Sequence, residues 1–165
     1  MTARQVFSLR VNGRTAEVFA RGDATLLDVL RDDLALRAAR RGCNQGVCGA
    51  CTVMLDGEPV RACLTMAGAC EGHEVTTLEG QNADPVMNAL QEAMIASGGV
   101  QCGFCTSGVL ITARGLLAAS AQPDEAEIRA ALSGNLCRCT GYVRIVEAVV
   151  LAARTLAAGR QEVAP

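Results

Sequence analysis

The chain has 165 residues, of which 50% are apolar, and a formal net charge of −2. Its 15 basic residues are all Arg and are scattered, so the concentrated basic face of a nucleic-acid-binding protein is absent. No apolar run approaches the ~20 residues of a membrane span, and Met1 to Arg10 contains no apolar segment of signal-peptide length. We therefore expect a cytoplasmic protein, without a membrane span, that holds one or two domains.

The N-terminal part has the pattern of a small sheet. From Gln5 to Val11 apolar and polar residues alternate, which is typical of a half-buried strand. Asn12-Gly13 predicts a tight turn into a second strand around Thr15 to Ala20. A short amphipathic helix is then expected, with four leucines on one side: Leu26, Leu27, Leu30 and Leu34.

A second hairpin is predicted further along the chain. Its strands run from Thr52 to Leu55 and from Pro59 to Ala62, with a turn at Asp56-Gly57. A last short strand is expected from Glu74 to Leu78. Two hairpins that share one helix describe a β-grasp, so residues 1–79 are predicted to form an N-terminal β-grasp domain.

Beyond residue 80 the period of the apolar residues becomes helical. Asp84-Pro85 predicts the start of a first helix, and Gly98-Gly99 its end. The other three are expected from about Phe104 to Ala119, from Asp124 to about Ser133, and from Tyr142 to beyond Ala153. Four such helices predict a four-helix bundle over residues 80–165, and an α+β fold for the whole chain.

Eight of the nine cysteines fall into two sets of four. The first set has the C-x4-C-x2-C spacing of a plant-type ferredoxin, followed after eleven intervening residues by a fourth cysteine: Cys43, Cys48, Cys51 and Cys63. This pattern predicts a 2Fe-2S cluster. Zinc sites more often use two compact C-x2-C pairs.

The second set is a C-x2-C pair and a C-x-C pair, separated by thirty-one residues: Cys102, Cys105, Cys137 and Cys139. Its spacing alone fits a cluster, zinc or a redox disulfide. Because both pairs lie at predicted helix N-termini, whose dipoles favour negative charge, a second 2Fe-2S cluster is the preferred interpretation. The ninth cysteine, Cys70, is interpreted as a small core residue.

Three segments resemble the iron-sulfur subunit of the molybdenum hydroxylases, the xanthine oxidase family. They are the loop from Gly42 to Val53, the segment from Gln101 to Thr106 and the segment from Gly134 to Tyr142. The resemblance covers about residues 5 to 158 and implies a ferredoxin-like domain followed by a helical bundle, each with one 2Fe-2S cluster. Ser107 departs from the family, which commonly has proline there, and we expect only a small loss of rigidity.

The same resemblance implies cofactors on other chains. The bundle's cluster would lie beside a molybdopterin, usually the cytosine dinucleotide form, in a large subunit, with Gln101 and Cys139 approaching the pterin. The ferredoxin-like cluster would lie toward FAD in a medium subunit or toward another acceptor. The substrate is not indicated by this chain.

We expect an electron-transfer subunit of an oxidoreductase, because no residue has the pattern of a catalytic acid, base or nucleophile. Two alternatives remain open at this point. One is a free-standing two-cluster ferredoxin, although such a shuttle usually has a lopsided acidic face and this chain is nearly neutral. The other is a zinc-binding interaction module.

Overall fold

The computed structural model describes residues 3–162, without the side chains of residues 160–162. The outer limits of the two predicted domains, residues 1 and 165, lie outside this range. The fold is mixed α+β, with a five-stranded sheet in the N-terminal half and four helices in the C-terminal half. None of the helices in the described range is long and apolar enough to cross a membrane.

The first hairpin is formed as predicted. Strands β1 (Arg4–Val11) and β2 (Arg14–Arg21) pair in antiparallel fashion, with Val11 opposite Arg14. Asn12 and Gly13 both have positive φ, 54° and 74°, as a primed two-residue turn requires.

The predicted short helix is present but irregular. Helix α1 (Leu26–Asp28) continues directly into a wider π-helical turn, Val29–Asp33. Thr25 and Asp28 form a capping box that fixes the start of α1. Leu26, Leu27 and Leu30 are fully buried, whereas Leu34 is half-buried.

The second hairpin joins β3 (Thr52–Leu55) to β4 (Glu58–Arg61), again through a turn with two positive φ angles, 50° at Asp56 and 88° at Gly57. Strand β5 (Glu74–Thr76) is shorter than predicted because Leu78–Gly80 form a 3-10 turn. The strand order is β2-β1-β5-β3-β4, and only the pair β1 and β5 is parallel.

The four C-terminal helices are α2 (Pro85–Ala96), α3 (Thr106–Ala119), α4 (Glu125–Leu132) and α5 (Val143–Glu162). Asp84 caps α2 by accepting from the N–H groups of Val86 and Met87. Asp124 and Glu127 form the predicted capping box of α4. Helix α3 begins two residues later than predicted, with Cys105 at its N-cap position.

Two hydrophobic cores lie in the two halves. The N-terminal core packs the sheet against α1 and includes Phe7, Leu9 and the fully buried Cys70, in agreement with a packing role for that cysteine. The C-terminal core lies among α2 to α5. Met54 of β3 belongs to this second core, so the sheet contributes directly to the packing of the helices.

Candidate functional site

The first cysteine set occupies the loop before β3 and the segment after β4. The backbone N–H groups of Gln45 and Cys48 both donate to Cys43 Sγ at 3.4 Å. These donors, that of Cys48 first, lower the pKa of Cys43 to about 6. The loop therefore stabilises a thiolate, which is the form of cysteine that binds metal.

Cys51 and Cys63 form the inner pair of this set and are 3% and 6% exposed. Burial first, and then the neighbouring thiol of Cys63, raise the pKa of Cys51 to about 11, against a backbone hydrogen bond at Cys63 that lowers it. The side chain of Cys48 contacts that of Cys43, and Cys48 is also close enough to Cys51 to interact with it electrostatically. All four sulfurs of the first set are thus brought together, in two adjacent pairs.

The glycines of this loop serve two purposes. Gly46 and Gly49 have φ of +75° and +69°, the left-handed region that glycine enters at low cost. Gly42 does not; there, an added Cβ would lie 2.9 Å from Cys48 Sγ and 3.4 Å from the Phe104 ring. Close approach of the backbone to sulfur, rather than a positive φ, explains the third glycine.

The second set lies in the turns that precede α3 and α5. Cys139 Sγ is 3.5 Å from Cys102 Sγ, and the side chain of Cys105 contacts that of Cys137. Burial, and next the Cys137 thiol, raise the pKa of Cys105 to about 12. Each sulfur pair therefore joins one segment to the other, a pairing that the spacing in the sequence does not indicate.

Thr140 and Tyr142 support Cys137. The Thr140 hydroxyl lies 3.1 Å from Cys137 Sγ, and the Tyr142 hydroxyl accepts from the Cys137 N–H at 2.8 Å. Burial alone would raise the pKa of Cys137, but donors led by the Thr140 hydroxyl outweigh it and lower that pKa. Sequence reasoning included both residues in a motif and started the last helix at Tyr142, whose φ of +69° instead places it just before that helix; it gave neither residue a role at Cys137.

The two donor sets fit 2Fe-2S clusters. Among residues 3–162, no three Cys, His, Asp or Glu side chains surround a single ion position. A 2Fe-2S cluster binds two thiolates on each of its two irons, so paired sulfurs are the relevant arrangement. Hydrogen bonds to the sulfurs, such as those to Cys43 and Cys137, are one of the factors that set the potential of such a cluster.

Gln101 and Cys139, which the family resemblance predicts to approach a pterin, are exposed. They lie beside the second set, where three large apolar side chains are also exposed: Phe104 at 45%, Leu136 at 51% and Val143 at 54%. The first set has its own exposed apolar neighbours, Val47 and Leu64. Each set therefore has exposed apolar side chains close to it in the chain.

The two halves meet along a contact that we call the seam, formed by residues 48–52 and 61 on one side and residues 134–136 on the other. The Leu136 N–H donates to the Cys48 carbonyl at 2.9 Å. Asn135, which is 1% exposed, donates from Nδ2 to the Gly49 carbonyl at 3.2 Å. Since Cys48 belongs to the first set and Leu136 precedes Cys137, the seam connects the two sets directly.

Arg61 stabilises the seam from the N-terminal half. Its two terminal nitrogens donate separately, one to Thr52 Oγ1 at 2.7 Å and the other to the Gly134 carbonyl at 2.8 Å. Thr52 Oγ1 in turn donates to the Gly49 carbonyl at 2.6 Å. Sequence reasoning missed Arg61, because its partner in the C-terminal half is far away in the chain.

Ser107 also joins the two halves, through a contact that the expected small loss of rigidity did not include. Its side chain is buried and its hydroxyl donates to the Ala38 carbonyl at 2.6 Å. A proline at this position could not make that bond. The residue that departs from the family pattern therefore makes a specific contact between the two halves.

Comparison with known proteins identifies both halves. Residues 17–92 match a family described as a 2Fe-2S iron-sulfur cluster binding domain, and residues 77–150 match one described as a [2Fe-2S] binding domain. The chain thus holds two 2Fe-2S binding domains, which does not favour zinc in either set. Residues 77–92 fall in both matches, so the predicted boundary at residue 79 stays a prediction.

The chain is 43% identical over 142 residues to the nicotinate dehydrogenase small FeS subunit of Eubacterium barkeri, covering 86% of this chain and 90% of the relative. It is 47% identical over 147 residues to the nicotine 6-hydroxylase small subunit of Paenarthrobacter nicotinovorans, covering 89% and 88%. A chain of quinoline 2-oxidoreductase from Pseudomonas putida 86 superimposes with a TM-score of 0.88 at 42% identity, covering 98% of this chain and 100% of that one.

Relatives of nearly the same length are named as subunits of larger enzymes, which does not favour the free-standing carrier. The fold of the quinoline 2-oxidoreductase chain extends over 98% of this chain, and both 2Fe-2S domains are matched. The chain therefore belongs to the small iron-sulfur subunits of the molybdenum hydroxylase, or xanthine oxidase, family, and it is the electron-transfer subunit of an oxidoreductase complex.

Proposed function

We propose that the chain passes electrons, one at a time, from a molybdopterin site in a large partner subunit to FAD in a medium subunit or to another acceptor. The observation that carries this proposal is the 2.9 Å hydrogen bond from the Leu136 N–H to the Cys48 carbonyl. It connects the two cysteine sets through one peptide segment and one hydrogen bond. Two carriers in such contact are suited to transfer in series.

The ligands of the first cluster, in this proposal, are Cys43, Cys48, Cys51 and Cys63, and those of the second are Cys102, Cys105, Cys137 and Cys139. The side-chain contacts within each set support this partition. A bound 2Fe-2S cluster supplies reversible one-electron chemistry through its irons. The chain's own part is to hold the thiolates, donate hydrogen bonds to them and keep the two sets at a fixed separation.

We assign the second set to the molybdopterin side. Gln101 and Cys139 are exposed there, and the neighbouring exposed Phe104, Leu136 and Val143 give a large subunit an apolar surface to cover. The exposed Val47 and Leu64 beside the first set would adjoin the FAD subunit or other acceptor. Electrons would then enter at the second set and leave from the first.

The proposal also covers the architecture of the two halves, the form of the molybdopterin and the cell compartment. We describe α2 to α5 as a four-helix bundle and the sheet with α1 as a β-grasp, divided near residue 79. The molybdopterin would be the cytosine dinucleotide form, and the complex would be cytoplasmic. Eight cysteines in metal-type sets support a reducing compartment.

The test is purification of the chain from its own cells with a tag that leaves the assembly intact. We expect a large and a medium subunit to co-purify, and about four irons and four labile sulfides per copy of this chain, from two 2Fe-2S clusters. Two irons, or stoichiometric zinc, would contradict the assignment of two clusters. A chain that purifies alone with both clusters would contradict the subunit role.

A further inference from the structure

The hydroxyl of Tyr142 holds the peptide segment that connects the two cysteine sets. It donates to the Asn135 carbonyl at 3.1 Å and accepts from the Cys137 N–H at 2.8 Å. Leu136 lies between these two residues, and its own N–H donates across the seam to the Cys48 carbonyl at 2.9 Å. One hydroxyl thus fixes the backbone on both sides of the bridging residue.

The Leu136 side chain contributes little to this placement, because it is 51% exposed. Asn135 is anchored on its own side by the bond from Nδ2 to the Gly49 carbonyl. The Cys137 N–H, in contrast, has the Tyr142 hydroxyl as its hydrogen-bond acceptor. The Asn135 N–H also donates to the Leu132 carbonyl at 2.9 Å, so the two bonds to Tyr142 add to those of Asn135 and are the ones that flank the Leu136 peptide on both sides.

The backbone of Tyr142 is itself unusual. Its φ is +69°, and it follows Gly141 at +64°, so a bulky residue occupies the left-handed region. This conformation turns the ring back toward residues 135–137, and the Thr140 hydroxyl holds it by accepting from the Tyr142 N–H at 3.2 Å. Strain of this kind persists where the surrounding structure enforces it, often at functional sites.

We propose that Tyr142 is a positioning residue for electron transfer between the two sets, acting by fixing the Leu136 N–H on the Cys48 carbonyl. This inference rests on the proposed function. The transfer moves one electron from the second-set cluster to the first-set cluster, which are oxidised and reduced by one electron respectively. No bond is formed or broken and no proton moves, so the hydroxyl keeps its hydrogen throughout.

The test is Tyr142→Phe in the intact complex, which keeps the ring and removes the hydroxyl. Ser133→Ala is the matched control, because it removes a hydroxyl bonded to a backbone carbonyl, that of Ala130 at 2.7 Å, close to the same segment. We expect hydrogen exchange at the Leu136 and Cys137 amides to accelerate about fivefold in Tyr142→Phe, as for loss of one ordinary hydrogen bond. The magnetic interaction between the two reduced clusters should weaken, and substrate should reduce the first-set cluster more slowly. The control should change none of these.

Acceleration at Cys137 alone, with the Leu136 amide and the cluster interaction unchanged, would overturn the inference and leave Tyr142 a local structural residue. A measurement on the unaltered complex gives a second check that needs no variant. If one hydroxyl secures both amides, Leu136 and Cys137 exchange at similar slow rates, and a much faster Leu136 amide contradicts the inference. Failure of the proposed function looks different, because the unaltered protein would then lack one of the two cluster signals or would purify alone.

Discussion

The Ser107 hydroxyl donates to the Ala38 carbonyl at 2.6 Å, and this bond joins the first turn of α3 to the segment that leads into the first cysteine loop. Ser107 and Ala38 are far apart in the chain, so the bond is a tertiary contact between the two halves. It places the start of the helix that follows Cys105 against the approach to Cys43. Both sets are thereby held by contacts outside the seam as well as within it.

Ser107→Ala should lower the free energy of unfolding by about 1 kcal/mol, the net contribution of an ordinary hydrogen bond. Ser107→Pro should lower the free energy of unfolding by a similar amount, because it removes the same hydroxyl. Proline itself is tolerated there, since N–H groups in the first helical turn have no partner within the helix. Urea unfolding of the cluster-loaded protein measures both changes. Loss of the second cluster in Ser107→Ala would show that this bond is needed for the site itself.

Arg61→Ala should be more damaging than Ser107→Ala. It removes two charge-assisted hydrogen bonds of the seam, to Thr52 Oγ1 and to the Gly134 carbonyl. Hydrogen bonds to charged groups contribute about 1.5–3 kcal/mol each, so we expect the loss of two to cost about 3 kcal/mol or more. Arg61→Lys, whose ammonium cannot reproduce the two-pronged geometry, should recover only part of it. Equal stability of Arg61→Ala and the unaltered protein in urea unfolding would contradict the role given to the seam.

The cysteine partition predicts separable effects. Cys43→Ser should abolish one of the two electron paramagnetic resonance signals of the reduced protein and leave the other, because the two sets share no ligand. Cys105→Ser should remove the other signal. Cys70→Ser is the control and should retain both, since this buried thiol belongs to neither set and its Sγ lies 3.5 Å from the Met66 carbonyl. Loss of either signal from the control would show that the ligands are wrongly divided.

Local sequence signals predicted much of this fold. Asn12-Gly13 and Asp56-Gly57 specify their turns because few other residues adopt consecutive positive φ angles, and the capping box of Asp124 and Glu127 needs only neighbouring atoms. The placement of β5 between β1 and β3 depends on long-range pairing, which no local pattern encodes. For the site, cysteine spacing predicted the two sets. It could not reveal that Cys102 lies next to Cys139, or that Arg61 reaches Gly134.

The two loop glycines should respond differently to alanine. At Gly46 an added Cβ would lie 2.2 Å from Leu64 Cδ1, the end of an exposed side chain that can move. At Gly49 it would lie 2.3 Å from the Gly134 carbonyl, which is backbone of the other half. Gly46→Ala should therefore disturb only the first loop, whereas Gly49→Ala should also open the seam and destabilise the protein by more than the ~1–2 kcal/mol of the left-handed backbone alone. Urea unfolding compares the two variants, and a Gly49→Ala no less stable than Gly46→Ala would contradict this reading of the seam.

The pair of Asp84 and Arg114 predicts a pH dependence. Burial alone would raise the pKa of Asp84, but the hydrogen bond from Arg114 at 2.9 Å and two backbone donors outweigh it and hold that pKa below 3.8. A lowered pKa stabilises the fold above the unfolded-state value and loses this contribution as the pH falls through the folded-state value. The stability difference between the unaltered protein and Asp84→Asn should therefore stay constant from about pH 8 to about pH 5, and it should shrink as the pH falls below about 4. A difference that shrinks within that interval, measured by urea unfolding, would contradict the assignment.

The central claim is that the two clusters act in series, with the second set first. Rapid mixing of the intact complex with substrate, followed by freezing and electron paramagnetic resonance, resolves the order in which the two signals appear. Comparison of the unaltered complex with Gly46→Ala, which disturbs only the first loop, makes the result specific. We predict that substrate reduces the second-set cluster at its normal rate in Gly46→Ala while reduction of the acceptor slows. Blocked reduction of the second-set cluster in this variant, with the complex intact and that cluster present, would contradict the account and reverse the order of the two sets.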